Sequence, residues 1–384
     1  MTVYLDYNAT TPVDPRVMGA MLPYFTEKFG NAASRNHPFG WEAEEAVDGA
    51  RKTVANELNA SPREIVFTSG ATESVNLALK GVAQANRDRG RHLVTQVTEH
   101  RAVLDTCKWL EEMGWDVTYL PVEPDGRVDP GRVASAVREE TVMVTVMHAN
   151  NEIGVLNPIE EIGSICQEKG VIFAVDAAQS FAKLPIDVKR MKIHLLAGSG
   201  HKIYGPKGIG FLYVRSRGPK IRLERQMEGG GHEGGMRSGT LPVPLVVGMA
   251  EAVRILQKER DEENERLKAL RDRLLAGIQE NLPHSIVNGS MEHRLPHNLN
   301  VSFPGVDGES LLMGMKQVAC STGSACSSAT LEPSYVIQAL GRTEQEAYSA
   351  VRLSVGRFTT EAEIDTAVTE IVTTVKKLSR LVTA

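Results

Sequence analysis

Val171-Ile172-Phe173-Ala174-Val175-Asp176-Ala177-Ala178-Gln179-Ser180, followed by Leu195-Leu196-Ala197-Gly198-Ser199-Gly200-His201-Lys202, decides the fold class. The apolar runs Val171 to Val175 and Leu195 to Ala197 are short, continuous and without polar alternation. A strand with one solvent face alternates, whereas a strand covered on both faces does not. Both runs give way to small and polar residues, and in parallel α/β sheets the strand ends are where ligands bind.

Upstream the same grammar repeats. Ile65 to Thr68, His92 to Val97, Val117 to Leu120 and Val142 to Met147 read as strands. Amphipathic stretches at Val17 to Phe29, Trp41 to Leu58, from Ala71 onward and Val103 to Met113 read as helices. Strands alternating with helices predict an α/β fold, a mainly parallel sheet of about seven strands flanked by helices. Downstream the composition shifts. Leu245 to Glu280 has helical apolar spacing at both ends and a polar block, Gln257 to Arg266, between them, which predicts a solvent-exposed bridge. Strands at Asn298 to Phe303 and Val351 to Val355 and helices at Pro333 to Leu340 and Glu361 to Leu381 complete a smaller α+β unit. The expected division is a large domain over 14–255 and a small one formed by 1–13 and 256–384.

Composition narrows the function. The 384 residues carry 43 Lys plus Arg against 48 Asp plus Glu, a net charge of −5. That balance lacks the clustered cations of a nucleic-acid binder, so no direct nucleic-acid partner is expected. Cys107, Cys166, Cys320 and Cys326 form no CxxC pair and no Cys/His cluster at zinc spacing, so no metal is expected and a reducing compartment is. The first residues show no basic-then-apolar signal and no run reaches membrane-span length, so a cytoplasmic protein without membrane association is expected.

Three short segments carry chemistry. Ser69-Gly70-Ala71-Thr72 follows a strand and opens a helix, whose free N–H groups suit a phosphate; an ordinary strand-to-helix turn is the competing reading. Asp176 at a strand end is either a buried acid with a cationic partner or an exposed loop residue. Lys202, 26 residues later, is a Schiff-base candidate or a surface lysine. Together, acid, lysine and helix terminus match the three handles of pyridoxal phosphate: pyridine nitrogen, aldehyde and phosphate. Gly229, Gly231 and Gly234 satisfy GxGxxG, but charged residues precede them instead of a strand, so no dinucleotide site is expected. His92, His194, His284, His293 and His297 read as structural, and His232 as ambiguous.

Tyr4-Leu5-Asp6, Asn8-Ala9-Thr10-Thr11, VFTSGATES (66–74), TEH (98–100), HANNEIG (148–154), VDAAQS (175–180), SGHKIYGPKGIG (199–210), MRSGT (236–240) and STGSACSS (321–328) occur in one order along nearly the whole chain. In this order they resemble the cysteine desulfurases of the NifS/IscS type, in the class V aminotransferase group of fold type I pyridoxal-phosphate enzymes. The resemblance implies a homodimer that removes sulfur from L-cysteine, giving L-alanine and a persulfide on Cys326. It makes Lys202 the cofactor lysine and proton carrier, Asp176 the partner of the pyridine nitrogen, Gln179 the partner of the ring oxygen, and His100 a stacking and proton-shuttling group. Ala71, Thr72, Ser199 and His201 would hold the phosphate, with Thr240 reaching the partner's cofactor, and Asn151 and Arg352 would hold the substrate carboxylate.

The segment around Cys326 has small residues and no apolar anchor, as a mobile loop (about 319–332) requires. Cys107 and Cys166, within amphipathic helices, and Cys320 fit a small buried apolar role instead. Departures from the family's common pattern at Ala32, His194, Ala197 and Gly234 remove no catalytic group. The alternatives are a selenocysteine lyase, another class V aminotransferase, or a non-catalytic scaffold that presents Cys326. Protein acceptors serving iron-sulfur cluster assembly, tRNA thiolation or DNA phosphorothioation all stay open.

Overall fold

A computed structural model describes residues 2–322 and 333–382. Its centre is a seven-stranded sheet in the order Ile65–Thr68, Gly210–Val214, Leu195–Ser199, Ile172–Asp176, Thr141–Thr145, His92–Gln96, Asp116–Leu120. All neighbours run parallel except Gly210–Val214, which is antiparallel to both of its own. Every residue of the strands Ile172–Asp176 and Leu195–Ser199 is buried, as their unbroken apolar runs require. This is the fold type I architecture expected. The strand Gly210–Val214 is not legible from its own residues, because the glycines and Pro206 before it signal a turn; its pairing on both sides comes from distant residues.

Two faces of the sheet are covered by separate cores. One includes the helix Pro38–Glu57 and the first half of the helix Val243–Asn281, and the other the helices Ala71–Ala85 and Arg101–Glu112. A third core joins Val3 and Leu5 to residues between 267 and 375, around the antiparallel strands Ile286–Val287, Asn298–Ser302 and Ala350–Ser354. Val336, Ile337, Leu340 and Ala347 belong to the first core.

Two local expectations need correction. The stretch 17–29 is two helices, Pro15–Met21 and Pro23–Thr26, because Pro23 has no N–H to continue the first. The helix Val243–Asn281 is one element of 39 residues, about 58 Å long at 1.5 Å per residue. Its polar middle is not simply solvated. Glu259 pairs with Arg16, Arg260 with Glu57 at 2.6 Å and Glu263 with Arg357 at 2.7 Å, while Arg266 donates to the carbonyls of Arg357 and Thr359.

The register brings the site together. Gly210 lies opposite both Thr68 and Ser199, so the turn into the Ala71–Ala85 helix and the turn carrying Lys202 emerge side by side. A Cβ on Gly210 would come within 2.6 Å of Gly70 Cα and of the Gly198 carbonyl, so only glycine allows this approach. Among the described residues no helix is long and apolar enough to cross a membrane.

Candidate active site

A cavity of about 550 Å³ opens over these strand ends. Ten of the residues singled out from the sequence line it: Ala71, Thr72, His100, Asn151, Asp176, Gln179, Ser199, His201, Lys202 and Arg352. Thr240 does not line it and is exposed in the single chain. Cys326 lies outside the described residues.

At one end the Ala71–Ala85 helix begins at Gly70, φ 156°, with no side chain capping it. The first N–H groups of a helix have no intrahelical acceptor, so they and the positive end of the helix dipole are available to an anion. Ser199 Oγ is buried beside them without a hydrogen-bond partner. His201 Nδ1 lies 3.1 Å from Thr10 Oγ1. Burial, helped by the charges of Lys202, Lys207 and Lys183, drops the His201 pKa to about 4, so the ring is neutral. Glu73, in the first helical turn, is neutralised by Arg237 at 2.8 Å.

In the middle sit Lys202, Asp176 and His100. Lys202 Nζ donates to the carbonyls of Asn8 and Ala9, each at 2.6 Å. Asp176 accepts from the Ala178 N–H at 2.9 Å; burial raises its pKa, and its interactions with His100, the Ala178 N–H and the Lys202 charge oppose that rise. His100 caps the Arg101–Glu112 helix, its Nδ1 accepting from the Ala102 N–H at 3.1 Å. Nδ1 therefore carries the lone pair, leaving Nε2 as the protonated nitrogen of the neutral ring. Burial lowers the pKa of His100, in keeping with that state.

At the other end Arg352, 2% exposed, pairs with Asp6 at 2.8 Å and donates to the Asn151 carbonyl at 3.1 Å. Arg352 Nε and Asn151 Oδ1 are buried and have no hydrogen-bond partner among the described residues. Ser321 begins the approach to the segment of Cys326. It exchanges backbone hydrogen bonds with Arg352, and its hydroxyl donates to Asp6 at 2.6 Å. On the far side of that segment, Ser334 donates to the buried Glu152 at 2.5 Å, and burial pushes the Glu152 pKa up to about 7.

Sequence reasoning assigned no role to Asn8 or Asp6, although both stand in the N-terminal motif. Asn8 is fully buried. Its amide exchanges two hydrogen bonds with neighbours, Nδ2 donating to Gln179 Oε1 at 3.0 Å and Oδ1 accepting from Asn298 at 3.1 Å, and its carbonyl accepts from Gln179 Nε2 at 2.9 Å. A buried Asn beside a polar motif was the available signal. Two histidines read as structural are held by the fold: His92 bridges Thr118 and Thr141, and His194 accepts from the Phe173 N–H. Cys107 and Cys166 are buried and Cys320 half-buried, with burial pushing the Cys166 and Cys320 thiols up to about 12.

The model of the class V aminotransferases matches residues 3–367. The chain belongs to the class V aminotransferase family. Within it, the chain is 56% identical over 380 residues to a cysteine desulfurase IscS of Methylobacillus flagellatus, covering 99% of this chain and 93% of that protein. It superposes on a solved NifS-like protein with a TM-score of 0.91 and 36% identity, over 98% of this chain and all of the other. A solved SspA in complex with cysteine matches with a TM-score of 0.80 and 37% identity, over 94% and 100% of the two chains. Pyridoxal phosphate is the cofactor of this family, and the class V cavity fits it: an uncapped helix start and an orphaned Ser199 hydroxyl at one end, Asp176 and Lys202 between, and unpaired polar atoms on Asn151 and Arg352 at the other.

Proposed function

We infer that this class V aminotransferase is a cysteine desulfurase. It converts L-cysteine to L-alanine and keeps the sulfur as a persulfide on Cys326. The observation that carries the reading is the placement of Ser321. Ser321, which precedes the segment of Cys326, exchanges backbone hydrogen bonds with Arg352, whose unpaired Nε suits a substrate carboxylate. A transaminase has no use for a nucleophilic thiol.

Ala71, Thr72, Ser199 and His201 would hold the cofactor phosphate, joined by Thr240 from the partner subunit, while Asp176 would pair with the pyridine nitrogen, Gln179 with the ring oxygen, and His100 would stack on the ring. Bound there, pyridoxal phosphate supplies an electron sink to the substrate amine. Lys202, released by substrate, takes the Cα proton. Arg352 and Asn151 hold and orient the substrate carboxylate. The Cys326 thiolate attacks that sulfur; an S–S bond forms, the C–S bond breaks, and its electron pair stays on Cβ, which takes up a proton to become the methyl group of alanine. A free thiol near pKa 8.5 needs help to ionise, so the site must lower its pKa or take its proton.

The large domain, 14–255, supplies the cofactor end, and the small domain, 1–13 with 256–384, supplies Arg352 and the Cys326 segment. The protein works as a cytoplasmic homodimer and passes sulfur to protein acceptors in iron-sulfur assembly, tRNA thiolation or DNA phosphorothioation. The test is stoichiometry: purified protein with cofactor and excess L-cysteine releases alanine and, with a reductant, sulfide in equal amounts. Keto-acid formation in place of sulfide sinks the reading. Sedimentation at the mass of one chain sinks the dimer.

A further inference from the structure

Arg352 does not wait in the cavity as a free cation. Asp6 Oδ1 accepts from its Nη2 at 2.8 Å, while the other oxygen of Asp6 accepts from Ser321 Oγ at 2.6 Å. Asp6 is 16% exposed and does not line the cavity, whereas Arg352 does, so the carboxylate holds the guanidinium from outside the cavity. Glu152, whose charge also reaches Arg352, is buried and engaged by Ser334.

We propose that Asp6 is a specificity-determining counter-ion that pre-neutralises Arg352 and holds carboxylate affinity at a level from which the product amino acid can leave. This rests on the reading that Arg352 receives the substrate carboxylate. Two effects compete in the role of Asp6. It orients the guanidinium, which favours binding, and it repels an incoming carboxylate, which opposes binding. Orientation is also supplied by the Asn151 carbonyl and by the strand pairing of Arg352 with Asn300, so losing one acceptor leaves the fork largely in place. The repulsion has no substitute. A like charge close behind the cation that receives the ligand carboxylate, in a partly buried site, changes affinity by about tenfold after screening. Repulsion therefore dominates, and removing the charge tightens carboxylate binding.

The experiment is calorimetric binding of L-alanine, and of L-alaninamide as a ligand without the carboxylate, to the cofactor-loaded enzyme. Asp6→Asn should lower the Kd for L-alanine about tenfold and leave that for L-alaninamide unchanged, and Asp6→Glu should return the alanine value toward wild type. An unchanged or weaker alanine Kd in Asp6→Asn, or equal changes for both ligands, overturns the proposal. Arg352→Gln separates it from the reading beneath it: if that variant keeps the wild-type preference for alanine over alaninamide, Arg352 is not the carboxylate site. Should Asp6→Asn fail to fold, Ser321→Ala decides. Losing the Ser321 donor concentrates the Asp6 charge on Arg352, and the alanine Kd should rise about twofold with alaninamide unmoved; no change overturns the proposal.

Discussion

The carbonyl oxygen of Asn8 accepts from Lys202 Nζ at 2.6 Å while the side chain of the same Asn8 grips Gln179. One residue of the N-terminal segment thus sets both the lysine and the amide proposed to face the cofactor ring. Backbone holds one and side chain the other, so substitution separates them.

Asn8→Ala keeps the acceptor for Lys202 and removes the partner of Gln179 and Asn298. Two buried amides lose a hydrogen bond, each costing about 1–3 kcal/mol. The expected outcome is a lower urea midpoint and weaker cofactor retention on dialysis, with the visible band of the attached cofactor still forming on reconstitution. Complete loss of that band would place Lys202 under control of the Asn8 side chain instead.

Lys202→Ala should abolish the visible band that reports covalent attachment of the cofactor, and borohydride should no longer fix cofactor to the protein. A band identical to wild type would refute Lys202 as the attachment point.

Cys326→Ala should retain the band and bind L-cysteine, seen as a spectral change, yet yield no alanine above background. Turnover at the wild-type rate would sink Cys326 as the nucleophile.

Glu99 is fully buried beneath this site, and burial together with the Asp176 charge raises its pKa from 4.5 to about 8. The native state therefore binds this proton more tightly than the unfolded chain. The resulting stability is present at low pH and is lost as pH climbs from about 4.5 through 8. Glu99→Gln has no such loss, so urea titrations at several pH values should show the variant gaining on wild type between pH 5 and 9, by an order of a few kcal/mol. A pH-independent difference would mean that Glu99 is already ionised when folded.

Arg357 joins Asp14 and Glu263 at 2.7 Å each and lies over the Tyr204 ring, tying the N-terminal segment to the polar middle of the long helix. Arg357→Ala leaves Glu263 buried without its cation, a cost of about 3 kcal/mol. A chemical denaturation midpoint unchanged from wild type would show that this junction contributes nothing.

Much was legible in the residues themselves because it is local. Burial on both faces writes itself as the unbroken runs around Val175 and Leu196, and the strand-to-helix turn at Gly70 needs only its own neighbours. The motif order marked Lys202, Asp176 and Arg352 as candidates. Tertiary structure decided what each of these side chains meets. Asp6 lies 346 positions from Arg352 and Asn8 lies 171 from Gln179, so no periodicity or spacing connects them. The antiparallel strand Gly210–Val214 is likewise set by pairing with Ile65–Thr68 and Leu195–Ser199. Hydrogen bonds and ion pairs act over about 3 Å in space whatever their separation along the chain, and only folding brings those partners to that distance.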